Sequence, residues 1–234
     1  MSNNNRPFVT AVILAAGEGS RMKLRITKQQ ILLADESVLR RSVRAFEESS
    51  SVDAIVVVCR DEEREFVLSE VSAFKKVSSV INGGSTRAES AKLGFLNAPR
   101  ESEFVAFHDA ARCLVTPQMI QNVIESAFVH GAATAVKKLN DTIKRVDSEG
   151  NIIETISRVD LCAAQTPQVF RCEDYALGLK AATLDSSVTD DNMIVESIGK
   201  KIFCVDCGAE NIKITVQEDI PYAEFLINRR RGDA

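Results

Sequence analysis

Apolar runs alternate with amphipathic stretches along the first half of the chain. Residues 9–16 form a run that is apolar apart from Thr10 and leads into Gly17, and a second apolar run covers residues 54–59. An amphipathic stretch at residues 38–46 lies between them. A run that is apolar at successive positions predicts a strand buried on both faces, as in a parallel sheet. A strand, a helix and a second strand at this spacing predict a βαβ unit.

The same alternation continues along the chain. The pattern predicts a helix at residues 62–74, a strand at 77–81, a helix at 86–96 after Gly83-Gly84-Ser85, and a strand at 104–107. Repetition of strands and helices in this order favours a three-layer α/β fold, in which helices cover both faces of one sheet.

The pattern changes at residues 134–160. Residues 141–146 and 152–157 alternate in polarity around a turn-forming segment, in which Gly150 can supply a positive φ. This predicts a β-hairpin that projects from the sheet. The later elements are a helix at 187–198 capped by Thr189, strands at 201–205 and 212–215, and a last helix at 221–228. No linker forces a second domain, so residues 1–234 are expected to form one domain.

Composition and charge limit the classes of partner. Hydrophobic residues make up 45 % of the chain and charged residues 26 %, which is ordinary globular usage. The 29 basic and 33 acidic residues give a net charge of −4, so no basic field is present to hold DNA or RNA. No apolar run approaches the roughly 18–20 residues that span a bilayer, and the first residues show no signal pattern. We therefore expect a cytoplasmic protein without membrane association.

The cysteines are expected to be reduced and structural. The sequence has six, and Cys204-Val-Asp-Cys207 is the only closely spaced pair that resembles a metal motif. A zinc site would need two more ligands at a matching spacing. The two histidines, His108 and His130, lie far away in sequence, so a zinc site is disfavoured.

A glycine-rich segment follows the first strand. Its sequence is Ala15-Ala-Gly-Glu-Gly-Ser-Arg-Met22, and Lys28 comes shortly afterwards. The glycines allow backbone N–H groups to approach a phosphate closely. The segment is neither a P-loop nor a dinucleotide fingerprint, because the P-loop pattern is absent and the third glycine is missing. Arg21 and Lys28 would instead place two cations on a triphosphate.

The predicted strand at residues 104–107 leads into His108-Asp-Ala-Ala-Arg112. Ligands of open parallel sheets bind beyond the carboxyl ends of the strands, so Asp109 should lie on the same edge as Gly17. A single carboxylate beside a triphosphate is sufficient to hold Mg²⁺. The alternative is an ion pair between Asp109 and Arg112 at the surface. We interpret His108 as a packing residue.

Eight short motifs follow one another in a fixed order. They are Ala15-Ala-Gly-x-Gly-x-Arg-Met22, Lys28-Gln29, Gly83-Gly84-x-x-Arg87, His108-Asp-Ala-Ala-Arg112, Asp141-Thr-Ile-Lys-Arg145, Thr166-Pro-Gln168 with Phe170, Thr189-Asp-Asp191 and Asn211-Ile-Lys-Ile-Thr215. Together they resemble the 2-C-methyl-D-erythritol 4-phosphate cytidylyltransferases over residues 9–219. Two positions depart from that pattern, since Thr27 and Cys113 stand where prolines are usual, which changes backbone stiffness and not charge.

The resemblance implies an activity and an architecture. The reaction would join CTP and 2-C-methyl-D-erythritol 4-phosphate, releasing pyrophosphate, in non-mevalonate isoprenoid synthesis, with Mg²⁺ as cofactor. The fold would be a Rossmann-like, mostly parallel sheet with helices on both faces and a projecting β-hairpin arm. The single nucleotidyltransferase domain would form a homodimer through that arm, at residues 136–160.

The resemblance also implies site residues. The catalytic set would be Arg21, Lys28, Arg158 and Lys213. The nucleotide would be bound by Ala15, Ala16, Gly17, Gly19, Gly84, Ser85 and Ser90, with Arg87 nearby. The sugar phosphate would be bound by Asp109, Arg112, Thr142 and Thr166, and Asp109 would also hold the metal. Thr142 and Arg158 would reach the pocket of the partner subunit.

Three other functions remain open at this stage. Ribitol 5-phosphate cytidylyltransferases share the nucleotide motifs, but Asp141-Thr-Ile-Lys-Arg145 looks more like the methylerythritol enzymes. A catalytically silent nucleotide-binding regulator should have lost the cations or Asp109, and the sequence retains them. A Rossmann dehydrogenase is disfavoured by the missing third glycine.

Overall fold

The computed structural model describes residues 6–17, 26–185 and 187–232. The strands are β1 (Val9–Leu14), β2 (Leu32–Leu33), β3 (Glu36–Ser37), β4 (Ala54–Cys59), β5 (Val77–Asn82), β6 (Phe104–Asp109), β7 (Ala132–Lys138), β8 (Ile143–Val146), β9 (Ile152–Ile156), β10 (Cys162–Arg171) and β11 (Phe203–Asp206). The helices are α1 (Val38–Glu48), α2 (Arg64–Val71), α3 (Arg87–Leu96), α4 (Pro117–His130), α5 (Cys172–Ala181), α6 (Asn192–Glu196) and α7 (Asp219–Arg231). Short 3₁₀ helices cover Lys28–Gln30 and Asp61–Glu63.

A seven-stranded sheet in the order β11-β7-β10-β6-β1-β4-β5 forms the centre of the fold. Neighbouring strands are parallel except at β10, which runs antiparallel to both β6 and β7. Every residue of β1, β4 and β6 is buried, which explains why these strands appear as apolar runs in the sequence. The mostly parallel α/β fold predicted from the sequence is confirmed.

Helices cover both faces of this sheet, because successive residues of each strand point to opposite faces. In β1, Ala11 and Ile13 belong to a core cluster that includes residues of α1, α2 and α4. Val12 and Leu14 belong to a second cluster with residues of α3, α5 and α6. A third, smaller cluster joins α7 to β2 and to the segment around Ile214.

The sheet brings the predicted site to one edge. In the parallel pairing of β1 with β6, Leu14 lies opposite Asp109, and both residues end their strands. The chain after Leu14 and the carboxylate of Asp109 therefore meet at the carboxyl edge of the sheet, as expected.

One predicted element is wrong and two others are only partly correct. Residues 212–215 form no strand; the N–H of Ile214 donates to the carbonyl of Ala111 at 2.8 Å, so this segment crosses the end of β6 and does not join the sheet. The predicted helix at 187–198 shortens to α6, whose N-cap is Asp191 and not Thr189. In the predicted arm at residues 136–160, the first three residues belong to β7 in the central sheet.

The arm itself is a two-stranded antiparallel sheet of β8 and β9. Gly150 adopts the positive φ of 90° that its position in the turn requires. Val146, Ile152 and Ile153 are exposed on the arm. Among the described residues, none of the helices has the length and apolar character needed to cross a bilayer.

Candidate active site

The loop after β1 is held against the 3₁₀ helix that carries Lys28. Ala15 is buried, and its N–H donates to the carbonyl of Val58 at 2.7 Å. The carbonyl of Ala15 accepts a hydrogen bond from the side chain of Gln29, the residue after Lys28. These contacts place Lys28 beside Ala16 and Gly17. The predicted site residues Gly19 and Arg21 lie outside the described residues.

The loop between β5 and α3 forms the opposite side of the site. A Cβ at Gly83 would lie 2.7 Å from the Cβ of Ala16, so only glycine allows the two loops to approach this closely. Thr86 caps α3 by accepting the N–H of Glu89 at 3.0 Å. The N–H of Gly84 donates to Ser90 Oγ at 3.1 Å, and that hydroxyl donates to the carbonyl of Thr86 at 2.9 Å.

These loops enclose a cavity of about 380 Å³. Its lining contains eight of the predicted site residues together with Arg87, drawn from segments that are distant in sequence. They include Ala16, Gly17, Lys28, Gly84, Ser85, Arg87, Ser90, Asp109 and Lys213. The structure therefore brings together backbone N–H groups, hydroxyls and three cationic side chains around one space.

Asp109 connects the cations of this cavity. Its Oδ1 accepts from Arg87 Nε at 3.1 Å and its Oδ2 accepts from Lys213 Nζ at 2.7 Å. Burial alone would raise the pKa of Asp109, but Arg87 and Lys213 outweigh burial and hold the pKa below its ordinary value. The carboxyl is therefore ionised at neutral pH.

Arg112 does not form the surface ion pair with Asp109 that is the alternative to a metal-binding role for that carboxylate. Its guanidinium donates instead to the carbonyl of Asn211 at 2.9 Å and to that of Ala164 at 3.4 Å. The Nε of Arg112 is buried and has no hydrogen-bond partner among the described residues. A buried donor of this kind is available to a bound anion.

A second cavity of about 200 Å³ adjoins the first and shares Arg87, Asp109 and Lys213 with it. Arg112 and Thr166 also line this smaller space. The two cavities together can accommodate two anionic groups that meet at the shared residues.

Thr166 is fixed by two neighbours. Its hydroxyl oxygen accepts the N–H of Asp109 at 3.1 Å, and the hydroxyl lies 3.0 Å from Nδ1 of His108. Burial lowers the pKa of His108 to about 3, so the ring is neutral and Nδ1 can accept the hydroxyl proton. His108 is fully buried and its ring packs against Phe46, as expected of a packing residue, and the structure adds its contact with Thr166.

Thr142 and Arg158 are not brought to this site within the chain. Both are exposed at the base of the β8–β9 hairpin, Thr142 just before β8 and Arg158 just after β9, and neither lines the two cavities. Within one chain, Arg158 therefore lies apart from Lys28 and Lys213, with which the resemblance groups it. Thr142 likewise lies apart from Asp109, Arg112 and Thr166.

The site can be compared with known proteins. The sequence model of the family described as 2-C-methyl-D-erythritol 4-phosphate cytidylyltransferase matches residues 9–229. The chain belongs to this cytidylyltransferase family. A member from Pelotomaculum thermopropionicum is 38% identical, covering 96% of this chain and 96% of that protein. A member from Clostridium novyi is 36% identical, covering 93% of this chain and 95% of that protein.

Solved structures of the cytidylyltransferase family agree with the fold. The 4-diphosphocytidyl-2C-methyl-D-erythritol synthase from Anaerococcus prevotii superposes with a TM-score of 0.83 at 25% identity, covering 95% of this chain and 99% of that one. The 2-C-methyl-D-erythritol 4-phosphate cytidylyltransferase from Francisella tularensis gives a TM-score of 0.78 at 26% identity, covering 93% and 99%. The nucleotidyltransferase class predicted from the sequence is therefore confirmed.

The two residues that depart from the cytidylyltransferase motifs, Thr27 and Cys113, do not line either cavity. Thr27 has a φ of −77°, which proline also adopts, although its N–H donates to Gln30 Oε1 at 3.1 Å and proline would lose that bond. Cys113 is 2 % exposed and packs with Leu114 and Ile214 in the third core cluster.

The sequence did not indicate the partner of Arg87. Its guanidinium also donates to Asp191 at 2.8 Å, across 104 positions in sequence. In the sequence, Asp191 belongs only to the Thr189-Asp-Asp191 motif and to the beginning of the predicted helix at 187–198. No local pattern indicates a contact between residues that are this distant in sequence.

Proposed function

We propose that this chain transfers the cytidylyl group of CTP to 2-C-methyl-D-erythritol 4-phosphate and releases pyrophosphate. The observation that carries the proposal is the pair of adjoining cavities, which share Arg87, Asp109 and Lys213. The larger cavity, beside the glycine loop and Lys28, suits a nucleoside triphosphate. The smaller cavity, beside Arg112 and Thr166, suits a sugar-alcohol phosphate.

The reaction needs alignment and charge neutralisation more than proton transfer. An oxygen of the sugar phosphate attacks the α-phosphorus of CTP, and the bond from that phosphorus to the β-phosphate oxygen breaks as pyrophosphate leaves. A phosphate monoester is already anionic at neutral pH, so no general base is required. Two anions that repel each other must instead be held in line.

The residues divide this task between them. Ala16, Gly17 and Gly19 hold the triphosphate through backbone N–H groups, and Ala15, whose own N–H is bonded to the carbonyl of Val58, anchors their loop. Gly84, Ser85 and Ser90 contact the nucleoside. Arg21 and Lys28 stabilise the charge that develops on the phosphates. Lys213, Arg112 and Thr166 hold the sugar phosphate, and Thr142 and Arg158 complete its pocket from a second copy of the chain.

Asp109 also fits a role as ligand to Mg²⁺. Among the described residues, no group of three or more His, Cys, Asp or Glu side chains could hold a metal, so the protein alone does not form a complete site. The ionised carboxylate of Asp109 has unused lone pairs beside Arg87 and Lys213, and Mg²⁺ commonly combines one carboxylate with phosphate oxygens and water. When bound, the metal would neutralise charge on the triphosphate.

A homodimer through the arm follows from the same proposal. The exposed apolar side chains of Val146, Ile152 and Ile153 lie on a hairpin that also carries the solvent-exposed Arg158. Burying them against a second copy would place Arg158 near another site. The cytoplasmic location expected from the sequence stays a prediction.

The substrate is tested with a pair of sugar phosphates. Purified protein with CTP and Mg²⁺ is incubated with 2-C-methyl-D-erythritol 4-phosphate or with ribitol 5-phosphate, and pyrophosphate release is measured. We expect a higher kcat/KM with the methylerythritol phosphate. Faster turnover of ribitol 5-phosphate would overturn the assignment of the substrate, and no release with either would overturn the proposed function.

A further inference from the structure

A chain of polar contacts extends from the cavities into the core. The hydroxyl of Tyr175 donates to Asp191 Oδ1 at 2.8 Å, and Arg87 donates to Asp191 Oδ2, also at 2.8 Å. Arg87 then donates from Nε to Asp109 Oδ1 at 3.1 Å, and Lys213 donates to Asp109 Oδ2 at 2.7 Å. Five side chains from five different parts of the chain are thus connected in series.

The inner end of this series does not touch either cavity. Asp191 is 1 % exposed and Tyr175 is fully buried, and neither residue lines the two cavities. The ring of Tyr175 packs against Phe95, Phe107 and Phe170. Neither Asp191 nor Tyr175 is therefore placed to contact a substrate.

The position of Asp191 is fixed independently of Arg87. Its backbone N–H donates to Gln168 Oε1 at 2.9 Å, and the amide of Gln168 donates to Asp190 Oδ2 at 2.9 Å. Gln168 lies in β10, so the turn before α6 is attached to the central sheet. Asp191 is consequently a rigid acceptor against which the guanidinium of Arg87 is oriented.

Burying a carboxylate at this depth is costly unless it is paired and hydrogen-bonded. Burial raises the pKa of Asp191, while the contact with Arg87 opposes that rise. The planar fork of arginine can bind two carboxylates at fixed angles, which an ammonium group cannot do. With one side of the fork held by Asp191, the other side is directed at Asp109.

We propose that Asp191, supported by Tyr175, is a positioning residue for the transfer reaction. It holds Arg87 in the orientation that fixes Asp109 and, through Asp109, the amine of Lys213 at the junction of the two cavities. This inference rests on the proposed function for its kinetic consequences, whereas the geometric relationship can be tested without it.

A positioning role and a purely electrostatic role predict opposite effects of Asp191→Asn. The substitution removes one negative charge near the phosphates. If only the charge mattered, the site would become more positive and the KM for the sugar phosphate would fall. If Asp191 positions Arg87, then Asp109 and Lys213 lose their alignment, and small misplacements of this kind can cost about 10²-fold in rate.

The experiment compares Asp191→Asn with Asp174→Asn. Asp174 is also a buried carboxylate with one cationic partner, Lys200 at 2.8 Å, but it lies in α5 away from the cavities. For Asp191→Asn we expect kcat/KM for the sugar phosphate to fall about 10-fold to 100-fold while the KM for CTP changes less than about threefold. Asp174→Asn should stay within about twofold of the unsubstituted protein.

A double-mutant cycle with Arg87→Lys tests whether Asp191 acts through Arg87. In the Arg87→Lys background, Asp191→Asn should cause little further loss of kcat/KM. If the losses of kcat/KM caused by Arg87→Lys and Asp191→Asn were fully additive, the proposal would be overturned. Equal kinetics of Asp191→Asn and Asp174→Asn would overturn it as well. Tyr175→Phe keeps the ring and removes only the hydroxyl, so it gives a smaller loss in the same direction even if Asp191→Asn fails to fold.

Crystal structures of the unsubstituted protein and of a folded variant, Asp191→Asn or Tyr175→Phe, provide a readout that does not depend on activity. We expect Arg87 to leave its present orientation and the contact between Asp109 and Lys213 to change. An unchanged arrangement of Arg87, Asp109 and Lys213 would refute the positioning role, whatever reaction the protein catalyses. A protein that is inactive with both sugar phosphates but shows this rearrangement would contradict only the proposed function.

Discussion

At the scale of single residues, cations outnumber carboxylates in the lining of the larger cavity. Asp109 is the one acidic side chain that lines the larger cavity among the described residues, and Lys28, Arg87 and Lys213 line the same space. Asp109 pairs directly with Arg87 and Lys213. A bound triphosphate can therefore interact with cations whose positions are already set, which is the condition under which electrostatic stabilisation costs no reorganisation.

Lys28→Ala should lower kcat much more than it weakens CTP binding. The positive charge of Lys28 matters most when negative charge develops on the phosphates, so we expect kcat to fall about 10²-fold to 10³-fold. The measurement is steady-state kinetics together with a CTP titration. Lys75→Ala, at an exposed position outside the cavities, is the control, and an unchanged kcat in Lys28→Ala would exclude Lys28 from the mechanism.

Sequence reasoning located some site residues well and missed others for a physical reason. Asp109 could be placed at the edge of the sheet because it follows a predicted strand, and Lys28 because it follows the glycine-rich segment, whereas Lys213 is implied only by the resemblance. The contact between Arg87 and Asp191 could not, since neither residue belongs to a local pattern that specifies the other. A buried ion pair between distant segments is set by tertiary packing alone.

At the scale of elements, close packing of α3 on the sheet determines where Arg87 and Ser90 lie. Gly94 in α3 lies against β1 and β4: a Cβ at this position would be 2.3 Å from Val12 Cγ1 and 3.0 Å from Val58 Cγ2. The helix can approach the sheet this closely only without a side chain at residue 94. This approach brings the N-terminus of α3 to the edge where β1 ends.

Gly94→Ala should therefore destabilise the protein, although alanine is the better helix former. At an exposed helical position the substitution would add about 1 kcal/mol of stability. Here the methyl group overlaps Val12, and overpacking of this kind costs about 1–3 kcal/mol. Urea denaturation should show a lower midpoint for Gly94→Ala, and Lys92→Ala on the exposed side of α3 should leave it nearly unchanged. A higher midpoint in Gly94→Ala would show that α3 can move away from the sheet at little cost.

Elements with a strong local pattern could be predicted, and those that depend on tertiary contacts could not. Strands β1, β4 and β6 are apolar at nearly every position because both faces are buried, the exceptions being Thr10 and the end of β6 at His108-Asp109. Residues 212–215 alternate in polarity like a strand, yet they cross the end of β6, where Ile214 packs against α7 and not in a sheet. Alternation shows that one side is buried, but it does not show which surface buries it.

At the scale of the whole molecule, the arm separates two predicted site residues from the others. Thr142 and Arg158 are exposed at the base of the hairpin, while Lys28 and Lys213 line the cavity. The same arm exposes Val146, Ile152 and Ile153. Both features are accounted for if the arm packs on a second copy and contributes to the site of that copy.

Mixed dimers provide the decisive test of this arrangement. If Arg158 acts on the partner, a dimer of one Lys28→Ala chain and one Arg158→Ala chain contains one site with both defects and one intact site. Dimers of this composition, isolated with two different affinity tags, should retain about half of the unsubstituted activity, since one of two sites works. If Arg158 acts within its own chain, every site carries one defect and activity stays at the level of the single variants.

The matched control combines Lys28→Ala with Lys213→Ala. Both residues line the same cavity of one chain, so a mixed dimer of these two variants has no intact site in either arrangement. Recovery in the first mixture and none in the control would place Arg158 across the interface. Recovery in both would mean that Lys28 and Lys213 do not act in the same site of one chain, which would contradict the cavity that both residues line. A monomer by light scattering would remove the basis for a shared site.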